Sequence, residues 1–439
     1  MKNKVAIIGG GYTGMVAAYY LARAGHKVAL YERGDNLGGL ASGFKIEGAN
    51  IEKAYHHLFK TDIDIIEFTN ELGIKDALEW HDSSVAIYYQ GNIYPFMGAI
   101  DLIKFSPLRL IDRFRTGLVI FYLQKEKKWQ KFKSISAYQW MEKYCGKRAT
   151  EVIWYPLLKG KFSNYYKEVA MAWLWARLHI RANSREGLFD KEQLGYFRNG
   201  FETFTATLTE KLKYLGVEII YKADISAIKA GKEGVNLLVN GSVKKFDKIL
   251  ATVPSDVFAR LTDSAEASSK YINRLRQIEY LGAVLLVFSS EQDLGEHYWH
   301  NINDTGAPFL VFINHTKLID KSQYNNKCVY YIGSYIPHDH EYFRVSDATL
   351  KKDWYKGLKK IFPEFDEKAI REENIFRFKN AQHIAVKDYD KIKPEYKTHI
   401  DNVYLANFSQ IYPEDRGTNY AVREGKKIAT KILKDMQKF

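Results

Sequence analysis

The sequence has 439 residues, which is too long for one ordinary hydrophobic core and indicates two or three domains. Its hydrophobic fraction of 46% and charged fraction of 27% are those of a globular protein and exclude a disordered or fibrous chain. The net charge of +13 suggests an anionic partner such as a phosphate-bearing cofactor, a nucleic acid or a membrane surface. A lysine-rich surface that only confers solubility is an equal alternative.

The cysteines and the apolar runs narrow the class of protein further. Cys145 and Cys328 are far apart and form no CxxC pair, so we predict no disulfide framework and no metal site. This composition fits a reducing, cytoplasmic setting. The start MKNKVAIIGGG turns to glycine too early for a signal peptide, and no run reaches the roughly 18 apolar residues of a membrane span.

Residues 4–43 predict a strand, a tight turn, a helix and a second strand. The first strand, KVAII, is followed by the motif Gly9-x-Gly11-x-x-Gly14, and the second, KVALY, is followed by Glu32. Glycines in this order let the backbone approach a pyrophosphate at a helix N-terminus, and the acid accepts hydrogen bonds from a ribose. This context favours a dinucleotide site over a glycine-rich turn without a ligand.

A second glycine pair, Gly38 and Gly39, follows six residues after Glu32 and precedes the small residue Ala41. A nicotinamide cofactor leaves this region free. FAD is longer, and its ribityl and ring halves must pass along the edge of the sheet. The second pair therefore favours FAD over a nicotinamide cofactor.

The middle of the chain predicts a helical insertion. Ser106 and Pro107 begin a long helical pattern that continues into KEKKWQKFK. Residues 108–133 mix basic and apolar side chains, so this helix lies either on an anionic membrane surface or on an ordinary protein surface with snorkelling side chains. No nucleic-acid-binding motif accompanies the charge, so we expect no nucleic-acid partner. Beyond the insertion, β-rich runs occur between about residues 275 and 335.

These motifs resemble the superfamily of FAD-dependent amine oxidases, protoporphyrinogen oxidases and phytoene desaturases. In that superfamily a Gly-Gly motif follows the acid, often with Arg after it, where this chain has Leu40. A later segment passes the flavin ring and often carries a histidine. The matching stretch IEKAYHHLF contains Tyr55, His56 and His57, although a solvated or core histidine pair is the alternative.

Three later segments extend the resemblance. Ile225 matches a strand residue that touches the adenine half of FAD, and Thr252 lies on a strand that returns to the cofactor domain. Asn407 stands where the family has an aspartate. The stretch WYPLLKGKFSNYYKEVAMAWLW resembles a segment that frames the substrate cavity, but its aromatic residues also suit a helical core.

The tail PEDRGTNYAVREG resembles the glycine-led helix that points at the flavin. Its backbone N–H groups would stabilise negative charge on the reduced ring. Arg416 neutralises the ring, a phosphate or an anionic substrate, or it is an exposed arginine with no partner. The expected groups near the reacting face are His56, His57, Tyr412 and Arg416. The resemblance implies these FAD contacts: Gly9, Gly11, Tyr12, Thr13, Gly14, Glu32, Arg33, Gly38, Gly39, Leu40, Ala41, Tyr55, His57, Ile225, Thr252, Asn407, Gly417, Thr418 and Asn419.

The predicted fold class is α/β: a Rossmann-type FAD-binding domain, an interleaved substrate domain of mixed β-sheet plus helices, and a helical insertion. The predicted segments are 1–75, 195–255 and 395–439 for FAD binding, 76–100 and 256–394 for substrate binding, and 101–194 for the helical, candidate membrane-contacting subdomain.

The predicted function is an FAD-dependent oxidase, dehydrogenase or desaturase that moves a hydride from a bulky isoprenoid-, porphyrin- or lipid-linked substrate to flavin N5. The alternatives are a flavin-dependent sugar isomerase similar to UDP-galactopyranose mutase and, less favoured, a flavin-free escort protein. We expect a cytoplasmic protein with peripheral contact to the anionic cytoplasmic face of a membrane as an open alternative. The sequence leaves the oligomeric state open.

Overall fold

The computed structural model describes residues 2–184, 191–262, 270–304 and 306–437. The strands in these ranges are β1 Lys4–Ile8, β2 Lys27–Tyr31, β3 Gly43–Ile46, β4 Ala49–Glu52, β5 Leu78–Asp82, β6 Val85–Tyr89, β7 Asn92–Pro95, β8 Gln193–Phe197, β9 Glu218–Ile220, β10 Ile225–Ala230, β11 Val235–Val239, β12 Ser242–Phe246, β13 Lys248–Ala251, β14 Tyr280–Ser290, β15 Trp299–Ile302, β16 Val311–Asn314, β17 Cys328–Ile336, β18 Ile370–His383 and β19 Val403–Leu405. The helices are α1 Tyr12–Arg23, α2 Ile63–Leu72, α3 Ala99–Lys104, α4 Leu110–Lys125, α5 Ala137–Cys145, α6 Lys147–Ala149, α7 Tyr155–Phe162, α8 Met171–Asn183, α9 Glu202–Tyr214, α10 Ser255–Leu261, α11 Lys270–Leu275, α12 Asp347–Ile361, α13 Tyr389–Ile392 and α14 Thr418–Met436.

A parallel sheet of five strands, in the order β19-β13-β1-β2-β9, forms the first layer. Successive side chains of a strand point to opposite faces. Val5 and Ile7 of β1 therefore pack into the core shared with α1, α9 and α14, while Ala6 and Ile8 pack against β10-β11-β12. Burial on both faces explains why VAII, the rest of the strand after the exposed Lys4, is continuously apolar. The predicted α/β class with a Rossmann-type sheet is confirmed.

A second sheet of seven strands, in the order β18-β14-β17-β16-β15-β6-β7, is antiparallel except for the β15–β6 pair. All residues of β14 are buried. Leu285 and its alternate neighbours face the core that also holds α1, whereas Leu286 and its neighbours pack on α12. The second sheet is thus covered on both sides, and it lies beside the parallel sheet.

Helices α3 to α8 form a block with its own buried core, which includes Trp154 and Trp173. The predicted start of the long helix at Ser106 is wrong, since α4 begins at Leu110. The reason is Arg113, which donates to the carbonyl oxygens of Leu108 at 2.7 Å and Ile103 at 2.6 Å and thereby stabilises a turn before the helix. No helix among the described residues combines the length and the apolar character that crossing a bilayer requires. The predicted domain boundaries stay a prediction.

Candidate active site

The turn after β1 can be built only with glycine at two positions. Gly9 has a φ of +107°, and a Cβ on Gly14 would lie 2.1 Å from the carbonyl oxygen of Gly9. Gly11 caps the N-terminus of α1 in an extended conformation. The turn therefore presents bare backbone and the N-terminus of α1 to the same edge of the sheet.

Glu32 follows β2 and holds this edge together. Its Oε2 accepts a hydrogen bond from the N–H of Gly10 at 2.8 Å, and its Oε1 accepts one from the N–H of Gly34 at 2.7 Å. A carboxylate has about four acceptor sites. The two internal bonds therefore leave acceptor capacity for the hydroxyl groups of a ribose.

The second glycine pair packs directly on the first turn. Gly38 and Gly39 have φ values of +101° and +59°, and the N–H of Gly38 donates to the carbonyl oxygen of Gly10 at 2.8 Å. A Cβ on Gly39 would lie 3.0 Å from the Cα of Gly11. The pair is thus needed for a backbone-on-backbone contact within the protein, and it carries the chain to Leu40, which lines a neighbouring cavity.

This cavity lies against one face of the second sheet. Together with its open mouth it encloses about 1660 Å³. Its walls come from the loop 54–62, α7, α8, strands of the second sheet and the start of α14. Apolar side chains, including Leu285, Trp299 and Phe378, form one part of the wall, and a cluster of charged side chains forms another.

His56 and His57 both line the cavity, and both lie in environments that keep them neutral. The Nδ1 of His56 donates to the carbonyl oxygen of Ala54 at 2.6 Å, and the Nδ1 of His57 lies 3.1 Å from the hydroxyl of Tyr298. Burial lowers the pKa of His56 to about 4 and the pKa of His57 to about 3. Neither imidazole is a strong base at neutral pH.

Arg416 is half-buried and points at the second sheet. Its Nη2 donates to the hydroxyl of Tyr335 at 2.6 Å, so the alternative of an exposed arginine without a partner is wrong. Its Nε is buried and has no hydrogen-bond partner among the described residues. One donor of the guanidinium is therefore available to a bound molecule.

Asp415, next to Arg416, organises two further cations. Its Oδ2 lies 2.8 Å from Lys161 Nζ and 3.2 Å from Arg177 Nη1. Burial alone would raise the pKa of Asp415, but the charges of Lys161, Arg177 and Arg416 outweigh it and hold this pKa well below its usual range. The cluster contains three cations and one carboxylate, so it carries a net positive charge.

The N-terminus of α14 opens on the same cavity. Gly417 is its N-cap, and Thr418 and Asn419 also line the cavity. The Oδ1 of Asn419 accepts a hydrogen bond from the N–H of Ile65 at 3.0 Å, which fixes this end of the helix against α2. The first N–H groups of a helix carry partial positive charge and have no partner within the helix.

Two residues predicted near flavin support the turn from behind. The Oγ1 of Thr252 donates to the carbonyl oxygen of Ile8 at 3.0 Å, and a Cβ on Gly9 would lie 2.5 Å from that Oγ1. The hydroxyl of Tyr12 lies 3.0 Å from the Oγ1 of Thr205 on α9. Both side chains thus hold the glycine turn in place.

Other predicted residues lie away from the cavity. The structure does not bring Tyr412 to it: this side chain is buried among helices, with ring centroids 5.4 Å from those of Trp129 and Tyr389. Asn407 is buried, and its amide is occupied by the carbonyl oxygen of Val253 at 2.8 Å and by Ser409.

The remaining predicted contacts lie on several different elements. Ile225 begins β10, Thr13 lies in the first turn of α1, and Arg33 is exposed after β2. Ala41 is buried beside the glycine pair, and Tyr55 lines the cavity. Their roles as cofactor contacts stay predictions.

Several residues of the cavity escaped the sequence-based prediction of site residues, among them Arg177, Tyr335, Asp62 and Asp415. Arg177 lies on α8 and Tyr335 on β17, where no local motif marks them. Asp62 accepts a hydrogen bond from the N–H of Phe59 at 2.8 Å, and burial raises its pKa to about 7. Asp415 is the one of these residues that the sequence could have indicated, because it directly precedes Arg416 in the recognised segment PEDRGTNYAVREG.

Comparison with known protein families gives one match over nearly the whole chain. The model of flavin-containing amine oxidoreductases matches residues 12–433. The 15-cis-phytoene desaturase of Arabidopsis thaliana is 21% identical over 462 residues, which cover 99% of this chain and 80% of that protein. The corresponding desaturase of Solanum lycopersicum is 21% identical over 461 residues, covering 99% of this chain and 78% of that protein.

Solved structures of similar fold span several activities. A provisionally assigned protoporphyrinogen oxidase from Exiguobacterium sp. 255-15 has a TM-score of 0.79 and 18% identity, covering 98% of this chain and 99% of that one. Putrescine oxidase bound to putrescine gives 0.73 and 15%, covering 99% of both chains. Reduced UDP-galactopyranose mutase gives 0.75 and 16%, covering 99% of this chain and 94% of that one. At these identities the likeness shows the fold.

Proposed function

Because the chain belongs to the family of flavin-containing amine oxidoreductases, we propose that it is an FAD-dependent oxidoreductase acting on a bulky substrate. The observation that carries the proposal is the continuity of two features. The glycine cradle is formed by Gly9, Gly11, Gly14 and Gly39. It leads through Leu40 into the large cavity. A cofactor that is bound by its phosphates at the cradle would extend towards that cavity.

The residues present fit FAD. A Cβ on Gly14 or Gly39 would close the cradle, Glu32 keeps free acceptor sites, and the buried Nε of Arg416 lacks a partner among the described residues. When bound, FAD supplies two-electron redox chemistry. The protein would hold its pyrophosphate at α1, place the N-terminus of α14 near developing negative charge and exclude water through the apolar wall.

The substrate class follows from the cavity and the relatives. The apolar wall around Leu285, Trp299 and Phe378 suits a large hydrocarbon portion. Relatives named for phytoene desaturation and protoporphyrinogen oxidation support an isoprenoid, porphyrin or lipid-linked substrate. We infer oxidation by transfer of a hydride equivalent to the flavin, a step that does not require the buried histidines, which are weak bases at neutral pH.

A second candidate is a flavin-dependent sugar isomerase. The fold resembles that of UDP-galactopyranose mutase, and the cations Lys161, Arg177 and Arg416 would suit the diphosphate of a nucleotide sugar. Such an enzyme would need reduced flavin and would cause no net oxidation. Oxidative turnover by oxidised flavin distinguishes the first candidate from the second.

The first experiment is an absorbance spectrum of the purified protein, followed by chromatography of the released cofactor. We expect a yellow protein that releases FAD, and a Gly14→Val variant that releases none. Gly117→Ala is the control, because Gly117 lies on α4 and its added Cβ would come no closer than 3.7 Å to Leu102. A colourless wild-type protein that takes up no FAD would support the flavin-free escort protein instead.

Anaerobic titration then separates the two enzymatic candidates. Loss of the oxidised-flavin absorbance on addition of an isoprenoid or porphyrinogen donor supports the oxidoreductase. Conversion of a nucleotide sugar that requires flavin reduced beforehand, with no net oxidation, supports the isomerase.

We also propose that α3 and α4 rest on an anionic membrane surface. The α4 residues Ile111, Phe114 and Leu118 lie on one face of the helix and are 69%, 61% and 72% exposed. Arg109 and Lys125 are exposed at its two ends. An exposed apolar face flanked by basic residues is typical of helices in the interfacial plane of a bilayer.

Sedimentation with vesicles containing anionic phospholipid tests this contact. We expect binding by the wild type and weak binding by a Phe114→Ser, Leu118→Ser variant. The matched control is Tyr214→Ser on α9, since Tyr214 is 88% exposed but lies in another part of the fold. Equal binding by all three proteins would overturn the proposal. A dimer that forms with rising protein concentration and is lost in the α4 variant would also overturn it, because the apolar face would then contact a second copy of the chain.

A further inference from the structure

The side chain of Tyr335 lies beside two cations, Arg416 and Lys161, in the wall of the cavity. Its Oη accepts a hydrogen bond from Arg416 Nη2 at 2.6 Å. Its ring centroid lies 5.7 Å from the Cζ of Arg416 and 5.0 Å from Lys161 Nζ. A phenolic oxygen with cations so close is arranged to be stable as a phenolate.

The other charged neighbours do not cancel this field. Asp415 is the acid closest to the pair, and its Oδ2 is already engaged by Lys161 and Arg177. Tyr55 also hydrogen-bonds to Tyr335 and keeps its own proton, because burial raises its pKa. Burial opposes ionisation of Tyr335 as well, but Arg416, Lys161 and the bond from Tyr55 outweigh it, so the pKa of Tyr335 falls below its ordinary value.

We propose that Tyr335 is the proton-accepting residue of this cavity, and that the group it deprotonates is a hydroxyl on a neutral or anionic substrate. This inference rests on the proposed function, which supplies the oxidised flavin as two-electron acceptor. In the proton step the O–H bond of the substrate breaks and its electron pair stays on the substrate oxygen. A new O–H bond forms on the phenolate of Tyr335, so the local charge is unchanged. The C–H bond of the carbinol carbon would then break, its hydride would go to the oxidised flavin, and a carbonyl group would remain on the substrate.

The charge balance of the cavity decides between a hydroxyl and an ammonium. Within the cluster around Tyr335, the cations Lys161, Arg177 and Arg416 face the carboxylate of Asp415. With the phenolate of Tyr335, three positive charges oppose two negative ones. A substrate ammonium would be repelled by this excess of positive charge, whereas an alkoxide that forms beside Arg416 would be stabilised. Putrescine oxidase shares the fold, so the fold alone does not decide between an amine and an alcohol.

The remaining titratable groups of the cavity are weaker candidates. His56 and His57 have pKa values of about 4 and 3. Near neutral pH they therefore hold a proton too weakly to act as the proton acceptor. Asp62 is a possible competitor, because burial raises its pKa to about 7. Asp62→Asn therefore belongs in the experiment as the rival variant.

The first test follows the ultraviolet absorbance of tyrosinate in the purified protein as the pH is raised. We expect an ionisation step below pH 10 that Tyr335→Phe removes and that Tyr214→Phe leaves in place. Lys161→Met should move the step up by about one pH unit, which serves as the readout if Tyr335→Phe does not fold. A step that persists unchanged in Tyr335→Phe, or that Lys161→Met does not move, would overturn the assignment.

The second test identifies the proton acceptor and the substrate group. Bleaching of the flavin is followed anaerobically with isoprenoid alcohols, such as geraniol, and with amines of the same carbon skeleton. We expect bleaching by alcohols, slowed at least 100-fold in Tyr335→Phe and less than 10-fold in Asp62→Asn. Bleaching by the amines alone, or a larger loss in Asp62→Asn, would overturn the proposal. A protein without FAD would refute the proposed function while the tyrosinate titration still tested Tyr335.

Discussion

The glycine cradle and the substrate cavity adjoin each other but are built in opposite ways. The cradle is backbone: Gly9, Gly14 and Gly39 are required because a Cβ would collide with a neighbouring atom or because φ is positive. The cavity is side chains: Lys161, Arg177 and Tyr335 reach it from three separate elements. Function at the cradle therefore depends on the absence of side chains. Function at the cavity depends on the balance between positively and negatively charged side chains.

This difference decides how each region tolerates change. A cradle position has no substitute for glycine, so a single added side chain acts sterically and without regard to pH. A cavity position acts through charge, so its effect depends on its partners and on their protonation. Variants in the two regions should differ in size and in pH dependence.

The largest effect should come from Gly14→Val in the cradle. Its Cβ would lie 2.1 Å from the carbonyl oxygen of Gly9, so α1 must move away from β1. We expect loss of bound FAD and a loss of at least about 1–3 kcal/mol of unfolding free energy. Denaturant unfolding and the spectrum of the variant measure both. Gly117→Ala on a helix should be neutral or stabilising by up to about 1 kcal/mol, and a yellow, stable Gly14→Val would contradict the steric account.

The next effect should come from Asp415→Asn in the cavity. The change leaves Lys161 and Arg177 without their shared carboxylate, which is 16% exposed. Breaking a fully buried pair costs about 3–5 kcal/mol, so a somewhat smaller loss is expected here at neutral pH.

The same variant should show a characteristic pH dependence. The pKa of Asp415 is depressed in the folded protein, so its stabilisation is present above the unfolded pKa and is lost as the pH falls through the folded one. Wild type and Asp415→Asn should therefore converge in strong acid. A difference that stays constant from neutral to acidic pH would show that the carboxylate charge is not the cause.

A smaller effect is expected for Glu32→Gln, at the border of the cradle. The amide oxygen can still accept one bond, but the N–H groups of Gly10 and Gly34 no longer share a charged acceptor. Hydrogen bonds to charged groups are worth about 1.5–3 kcal/mol, so a roughly tenfold or greater weakening of FAD binding is expected. Equilibrium titration of apoprotein with FAD measures it. Glu218→Gln on β9, where the carboxylate is exposed, is the control that should change nothing.

The smallest effect should come from His57→Gln. Its pKa of about 3 in the folded protein lies below the unfolded value near 6.5, so the wild type loses stability as the pH falls below 6.5. The variant lacks this loss and should gain about 0.8 kcal/mol relative to wild type between pH 8 and pH 6. Thermal unfolding at the two pH values checks the sign, and a relative loss would mean that His57 is protonated in the fold.

The same contrast explains how far the sequence alone could predict the molecule. The glycine spacing, Glu32 and the second pair predicted the parallel sheet and the family, and both are confirmed. Steric requirements are local, so they leave a regular pattern. Tyr335 and Arg177 escaped prediction because their roles arise only when β17 and α8 meet the start of α14. The early start predicted for α4 failed because Arg113 caps carbonyl oxygens that a short motif does not reveal.

In the strand order β19-β13-β1-β2-β9, strands that are neighbours in the sheet are synthesised at very different times. At roughly 5–20 residues per second, a ribosome completes β13 about 12–48 s after β1 and needs further time to reach β19. Through that interval β1 has β2 on one side and an unpaired edge on the other. Thr252, which supports the glycine turn from behind, follows β13 directly, so the cradle lacks this support until β13 has been made. We therefore expect flavin to bind only after that point.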